Sequence, residues 1–307
     1  MPKPTLHPRL AQALQKIVGR ELDPSRTARV FKEYDTTRGY AAYHDYCRSV
    51  FSRRLVKNDS PLEEKGFEYL QVLAPARARS FADQLQSPPA LAQIKRDSRD
   101  RLRWAVSDVD FVREVFQTIL TKPLHDRFTC YFESEFLIHW VTFTLTKCAN
   151  AQRSVSFRWH CDKGPSRHLK LIVYLNATDD HGGTTEFMDL EQTSIAAQAG
   201  YPFGWSRARA GNVQEVSRIV GHELCSESAN MAAGQGVIFQ PARVLHRGVS
   251  PTLGDRCAIT LCLLPSPKPW HVAMARGASS DLGTDENWHA HAQQLLDRVN
   301  QPEGRDA

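Results

Sequence analysis

The sequence contains no C-x-x-C pair, and its seven cysteines, Cys47, Cys130, Cys148, Cys161, Cys225, Cys257 and Cys262, are scattered and odd in number. That excludes a disulfide framework and a cysteine zinc site as organising features. Nowhere does an apolar run reach the length needed to span a bilayer, and the opening MPKPTLHPRLAQALQKIVGREL reads as a charged amphipathic helix without the apolar segment of a signal peptide. The expectation is a cytoplasmic protein without a membrane partner. Dense Lys/Arg blocks are also missing, and a net charge of +5 over 307 residues is modest, so no nucleic-acid partner is expected. Neither an internal repeat nor a low-complexity tract is visible. A 41% hydrophobic content is ample for a packed core of one large domain or two small ones. Nothing in the sequence fixes an oligomeric state.

Up to about residue 121 the apolar positions recur at helical spacing, as in Leu10, Leu14 and Ile17 or Phe67, Leu70 and Leu73. The expectation is a helical N-terminal layer over residues 1–125. Within it, Ser60 caps and Pro61 opens a helix LEEKGFEYLQVL, and Ser107 or Asp108 starts VDFVREVFQTIL. After Tyr131 the texture changes to β-branched and aromatic residues. FLIHWVTFTLTKC, VSFRWHCD, HLKLIVYLN, TTEFMD, GVIFQ and CAITLCLLP read as strands, separated by turns such as KGPS, TDDHGG and SPTLGD. Many short strands with polar turns suggest a sandwich or barrel. The expected architecture is α+β, with a catalytic core over residues 126–272 and a C-terminal helix and tail over 273–307. The stretch 189–231 breaks the strand rhythm and is expected to be an insertion serving as a substrate lid.

The chemistry centres on His160, Asp162 and His246. Among the twelve histidines only His160 has an acid two residues later. On a strand, residues i and i+2 point to one face, so His160 and Asp162 reach one ion while Cys161 points away, and His246 completes the set from a neighbouring strand. Two imidazoles and one carboxylate on one face of a metal leave positions open for a co-substrate and oxygen, the arrangement of non-haem Fe(II) oxygenases. Arg256 follows His246 by ten residues across a turn with Pro251 and Gly254, and one hairpin is expected to bring both into one pocket. A keto acid chelated through its keto and adjacent carboxylate oxygens needs a cation for its distal carboxylate, which a planar guanidinium pairs bidentately. Thr260 shares a face with Arg256 and adds a hydroxyl. Basic residues near the motif, Arg158, Arg167, Lys170, Arg207 and Arg209 among them, would steer an anionic co-substrate or substrate there.

WHCD, YLN, GGTTEF, GQGVIF and HRGVSPTLGDR, in this order, resemble the Fe(II)- and 2-oxoglutarate-dependent dioxygenase superfamily, its prolyl-hydroxylase-like and phytanoyl-CoA-hydroxylase-like branches in particular. The resemblance covers roughly residues 128–266 less the insertion. It implies a double-stranded β-helix core of jelly-roll, cupin-like form, with His160, Asp162 and His246 as iron ligands and Arg256 as partner of the 2-oxoglutarate distal carboxylate. Tyr174, in YLN, stands where that branch has a tyrosine on the same carboxylate. Gly182 and Gly183 stand at the Gly-Gly turn, where their role is backbone shape. The implied activity is oxidative decarboxylation of 2-oxoglutarate to succinate with O2, coupled to hydroxylation, desaturation or cyclisation, with ascorbate as reductant. The expected substrate is a small molecule such as an amino-acid derivative or biosynthetic intermediate, contacted by Arg158, Trp205 and Arg207. Two alternatives stand beside it: a protein or peptide hydroxylase of the same superfamily, and a cupin-like metal protein that does not use 2-oxoglutarate.

Overall fold

A computed structural model of the chain describes residues 38–55, 60–96, 102–104, 109–148, 155–162, 167–201 and 209–275. The expected opening helix, Trp205, Arg207 and the polar C-terminal segment lie outside them. Among the described residues no helix is long and apolar enough to cross a membrane.

Two long strands, β4 (Glu135–Thr146) and β9 (Arg256–Ser266), pair antiparallel over nearly their whole length and form the middle of a seven-stranded sheet. Its order is β1-β7-β5-β9-β4-β3-β2, where β1 is Phe67–Gln71, β2 Ile94–Arg96, β3 Leu102–Trp104, β5 Leu169–Tyr174 and β7 Gln235–Phe239. Alternation along each strand divides the sheet into two faces. Leu169, Leu171 and Val173 of β5 and Cys257, Ile259, Leu261 and Leu263 of β9 enter the main hydrophobic core. Helices α2 (Pro75–Leu85), α4 (Val109–Ile119) and α5 (Lys122–Phe132) cover that face with residues such as Phe81, Phe116 and Phe128, each at most 2% exposed. The 12-residue helix α1 (Arg38–Ser49) lies beside β9, and the single-turn α3 (Pro88–Leu91) follows α2.

The opposite face carries the site, and a β-bulge in β4 decides which residues reach it. The register with β9 shifts between Ile138 and Trp140. Before the bulge Phe136 and Ile138 enter the core; after it Val141, Phe143 and Leu145 do. One extra residue reverses the phase of the strand, so Trp140, Thr142, Thr144 and Thr146 face the cavity instead.

Above this face lies a two-stranded sheet of β6 (Thr185–Phe187) and β8 (His246–Gly248), extended by single bridges from His160 to His246 and from Phe187 to Glu227. VSFRWHCD is therefore a single 3-10 turn, Val155–Phe157, followed by one bridge, and not the continuous strand expected.

Among the described residues of the first third, α1 to α4 are helical as read, while β1, β2 and β3 are strands. Residues 61–65 do start a turn, closed by Lys65 N–H donating to Pro61 O at 2.7 Å and Gly66 N–H to Leu62 O at 3.1 Å. Gly66 then adopts φ +83°, and a Cβ there would sit 2.3 Å from Val244 Cγ1. The turn cannot continue past it, and Phe67 to Gln71 pair with β7 as an edge strand. Phe67 stacks on Phe187 with ring centroids 4.8 Å apart, tying this edge to the short sheet.

The insertion also differs from expectation. It holds α7 (Leu190–Gln198), capped by Asp189 accepting from Gln192 N–H at 2.8 Å, and α8 (Val213–Val220), capped likewise by Asn212. Ala196, Ala197, Val216 and Val220 pack on Trp159, Cys161 and Leu245, the outward side of the metal-motif segments. The described parts of 189–231 are thus a buttress behind Trp159, Cys161 and Leu245, and none of them lines the cavity in front.

Candidate metal and oxyanion site

His160 and His246 are held opposite one another by their own backbones. His160 N–H donates to His246 O at 3.0 Å, and His246 N–H returns the bond at 2.9 Å. This pair brings the rings to a centroid separation of 4.4 Å. Asp162 N–H donates to Pro241 O at 2.7 Å, fixing the third residue. One ligand atom from each of His160, Asp162 and His246 lies within 4.8 Å of the others. His160 Nε2 is 3.5 Å from Asp162 Oδ1, and His246 Nε2 is 3.8 Å from Asp162 Oδ2.

Both imidazoles are oriented by backbone carbonyls. His160 Nδ1 lies 2.6 Å from Arg158 O and His246 Nδ1 3.0 Å from Val244 O. A carbonyl only accepts, so each Nδ1 carries a proton and each Nε2 is turned toward Asp162. Burial, with His160 beside it, pushes the His246 pKa down to about 3. Burial alone would raise the Asp162 carboxyl, but Lys170 foremost, then the two histidines, hold it well below the usual carboxylate range. The donor set fits a divalent metal with open positions.

Arg256 faces the same cavity, of about 180 Å³, together with Tyr174 and Thr260. The expected hairpin is not what brings it there. His246 is on β8 of the short sheet and Arg256 on β9 of the large one, and the connection crosses between sheets because Gly254 and the Pro251 turn redirect it. Arg256 Nη1 donates to Thr184 O at 3.0 Å and Val249 O at 3.3 Å. Burial lowers its pKa, offset only by Tyr174. No ion pair to a carboxylate is found for it among the described residues. Tyr174, 1% exposed, has its hydroxyl 3.0 Å from Thr185 Oγ1. Thr260 pairs with Thr142 across the strands.

The Gly-Gly turn shapes this end of the site. Gly182 ends the short helix α6 (Thr178–His181) at φ +71°. A Cβ on Gly183 would sit 2.9 Å from Val249 O, one of the two Arg256 anchors, and 2.8 Å from Pro251 N.

Other expected residues fall elsewhere. The Arg158 side chain is exposed, donates to Arg209 O at 3.3 Å and borders a separate groove with Glu215 and Arg247. Its contribution to the triad is its carbonyl. Trp205 and Arg207 lie outside the described residues. Tyr201 is structural, with its hydroxyl donating to Trp159 O at 3.1 Å and accepting from Ala210 N–H at 2.9 Å. Lys170 is the residue sequence reading passed over except as part of a basic bias. Its Nζ reaches Asp162 Oδ2 and lies 5.3 Å from the Trp140 ring centre. The signal was the i, i+2, i+4 spacing of Lys170, Ile172 and Tyr174, which puts all three on one face of β5.

No protein-family model matches the chain, and no curated protein matches it. Solved structures do match it. EctD from S. alaskensis with bound Fe is 13% identical, covering 77% of this chain and 86% of that one, with a TM-score of 0.48. The non-heme alpha ketoglutarate dependent carbocyclase SnoK from nogalamycin biosynthesis is 10% identical over 73% and 92%, at 0.47. A Pseudomonas putida prolyl-4-hydroxylase is 14% identical over 66% and 94%, at 0.40. With similarity this low, what the site does rests on its own geometry.

Proposed function

We propose that this protein is an Fe(II)- and 2-oxoglutarate-dependent oxygenase built on a double-stranded β-helix core, acting on a small molecule such as an amino-acid derivative or biosynthetic intermediate. One observation carries the reading: a His-Asp-His donor group and a guanidinium with no carboxylate partner among the described residues line a single cavity. A metal-binding protein of the cupin kind has no use for that cation. In this reading His160, Asp162 and His246 hold iron, which supplies oxygen activation coupled to decarboxylation of the keto acid when bound. Arg256, with Tyr174 and Thr260, holds the distal carboxylate and so orients the keto group toward the ligands. The two sheets wall the cavity from both sides and limit the access of water to the reacting groups. Ascorbate would serve as reductant.

The test is to incubate purified protein with Fe(II), ascorbate and 2-oxoglutarate and to measure succinate. Slow substrate-free formation is expected. Its complete absence from iron-loaded protein favours the metal-binding reading without 2-oxoglutarate.

A further inference from the structure

Among the described residues, the cavity lining carries more positive charge than a metal and a keto acid require. Among the described lining residues four are cationic, Arg103, Lys147, Lys170 and Arg256, and one is acidic, Asp162. A divalent ion and a dicarboxylate cancel one another, and Asp255 answers Lys147 at 2.5 Å. Arg256 is assigned to the dicarboxylate. A divalent ion, a dicarboxylate, Asp162, Lys170 and Arg256 together keep one net positive charge, and with Arg256 on the dicarboxylate and Asp162 shared with the metal that charge falls to Lys170.

Lys170 and Arg256 anchor opposite ends of the site. Lys170 is level with Cys262 on β9, and Arg256 lies six residues further along, roughly 20 Å of strand. Their contacts diverge as well: Lys170 reaches Asp162, while Arg256 reaches Thr184 and Val249, on the side of the short sheet beyond His246. One five-carbon ligand held by Arg256 leaves Lys170 to do something else. The Lys170 side chain is 19% exposed, and Trp140 beside it supplies an aromatic wall. Thr142 and Thr144 add hydroxyls to the same face of the cavity.

We infer that Lys170 is a specificity-determining residue that binds a carboxylate of the primary substrate beside the metal, making the enzyme one for anionic small molecules. The inference rests on the oxygenase reading for the identity of the second ligand. Its chemistry is an ammonium at the side of the metal with an indole face next to it, suited to an acid whose carbon skeleton packs on Trp140.

Calorimetric titration of Mn(II)-loaded protein, saturated with 2-oxoglutarate at low ionic strength, tests this with acetate, butyrate and benzoate against their amides. At least one acid is expected to bind tenfold or more tightly than its amide. Lys170→Met should remove that preference, Lys170→Arg should keep part of it, and both should still bind Mn(II). Equal binding of acids and amides overturns the inference, as does a preference that survives in Lys170→Met. Loss of Mn(II) binding in the folded Met variant also overturns it, because Lys170 would then serve to prop Asp162. If 2-oxoglutarate itself fails to bind the Mn(II) protein, the oxygenase reading falls, while the comparison of acid with amide, repeated without it, still decides the role of Lys170.

Discussion

Replacing Arg256 with methionine separates what this residue does for the fold from what it does for a ligand. The guanidinium makes two hydrogen bonds, to Thr184 O at 3.0 Å and Val249 O at 3.3 Å, and burial disfavours its charge. Losing two such bonds costs about 2 kcal/mol, and relief from burying an unpaired cation offsets most of it. The ligand-free variant should stay within about 1 kcal/mol of the parent. Ligand stabilisation should differ far more. With Mn(II) present and 2-oxoglutarate at 100 times its dissociation constant, the parent gains about 2.7 kcal/mol. A charge-assisted contact worth about 2 kcal/mol raises that constant roughly 30-fold, leaving the variant about 0.9 kcal/mol at the same concentration. Thermal unfolding resolves the difference, since about 1 kcal/mol corresponds to roughly 2–4 °C in a domain of this size. A variant that gains as much from 2-oxoglutarate as the parent, or one that unfolds without ligand, refutes the assignment.

Other consequences follow from the same geometry. Gly183→Ala pushes a methyl into Val249 O and Pro251 N, so it should cost about 1–3 kcal/mol in denaturant unfolding and weaken 2-oxoglutarate binding through the displaced Arg256 anchor. An unchanged midpoint would show that the turn has room. Asp162→Ala should abolish Mn(II) binding in a paramagnetic titration, and retained stoichiometric binding would remove the triad. His181 is fully buried, accepts from Gly183 N–H at 3.0 Å through Nδ1, and has its pKa pushed down to about 4, by burial first and by Arg256 second. The unfolded chain, near 6.5, binds the proton more readily, so stability present above that value is lost as pH falls toward 4, by about 3 kcal/mol. His181→Asn should flatten the pH–stability curve between 6.5 and 4, and an unaltered slope would exclude His181 as its source.

The site was legible in the sequence because strand periodicity is short-ranged. Residues i and i+2 share a face wherever the backbone is extended, even at the single bridge of His160, so His160, Asp162 and Cys161 took their expected sides, and Arg256 and Thr260 their shared face. What misled was anything set by partners remote in sequence. FEYLQ has apolar residues that fit a helix as well as an edge strand, and the choice falls to Gly66 and to pairing with residues 235–239, some 170 positions away. The crossing of the chain between sheets after His246 is likewise a topological fact, so a hairpin was the natural local reading. The β4 bulge, which sends Trp140 and the threonines into the cavity, leaves no mark in FLIHWVTFTLT, where both faces are buried. The described parts of the insertion form a buttress because Ala196, Ala197, Val216 and Val220 have an apolar surface to cover behind Trp159. Lys170 escaped notice because a lysine in a strand reads as an outward charge until the opposite wall is known.

Titration of 2-oxoglutarate into metal-free and Mn(II)-loaded protein tests the central claim most directly, since the triad and Arg256 are argued to hold two ends of one ligand. The account predicts binding that is at least tenfold tighter with Mn(II), with the reciprocal tightening of Mn(II) by 2-oxoglutarate. Equal affinity with and without the metal would contradict it.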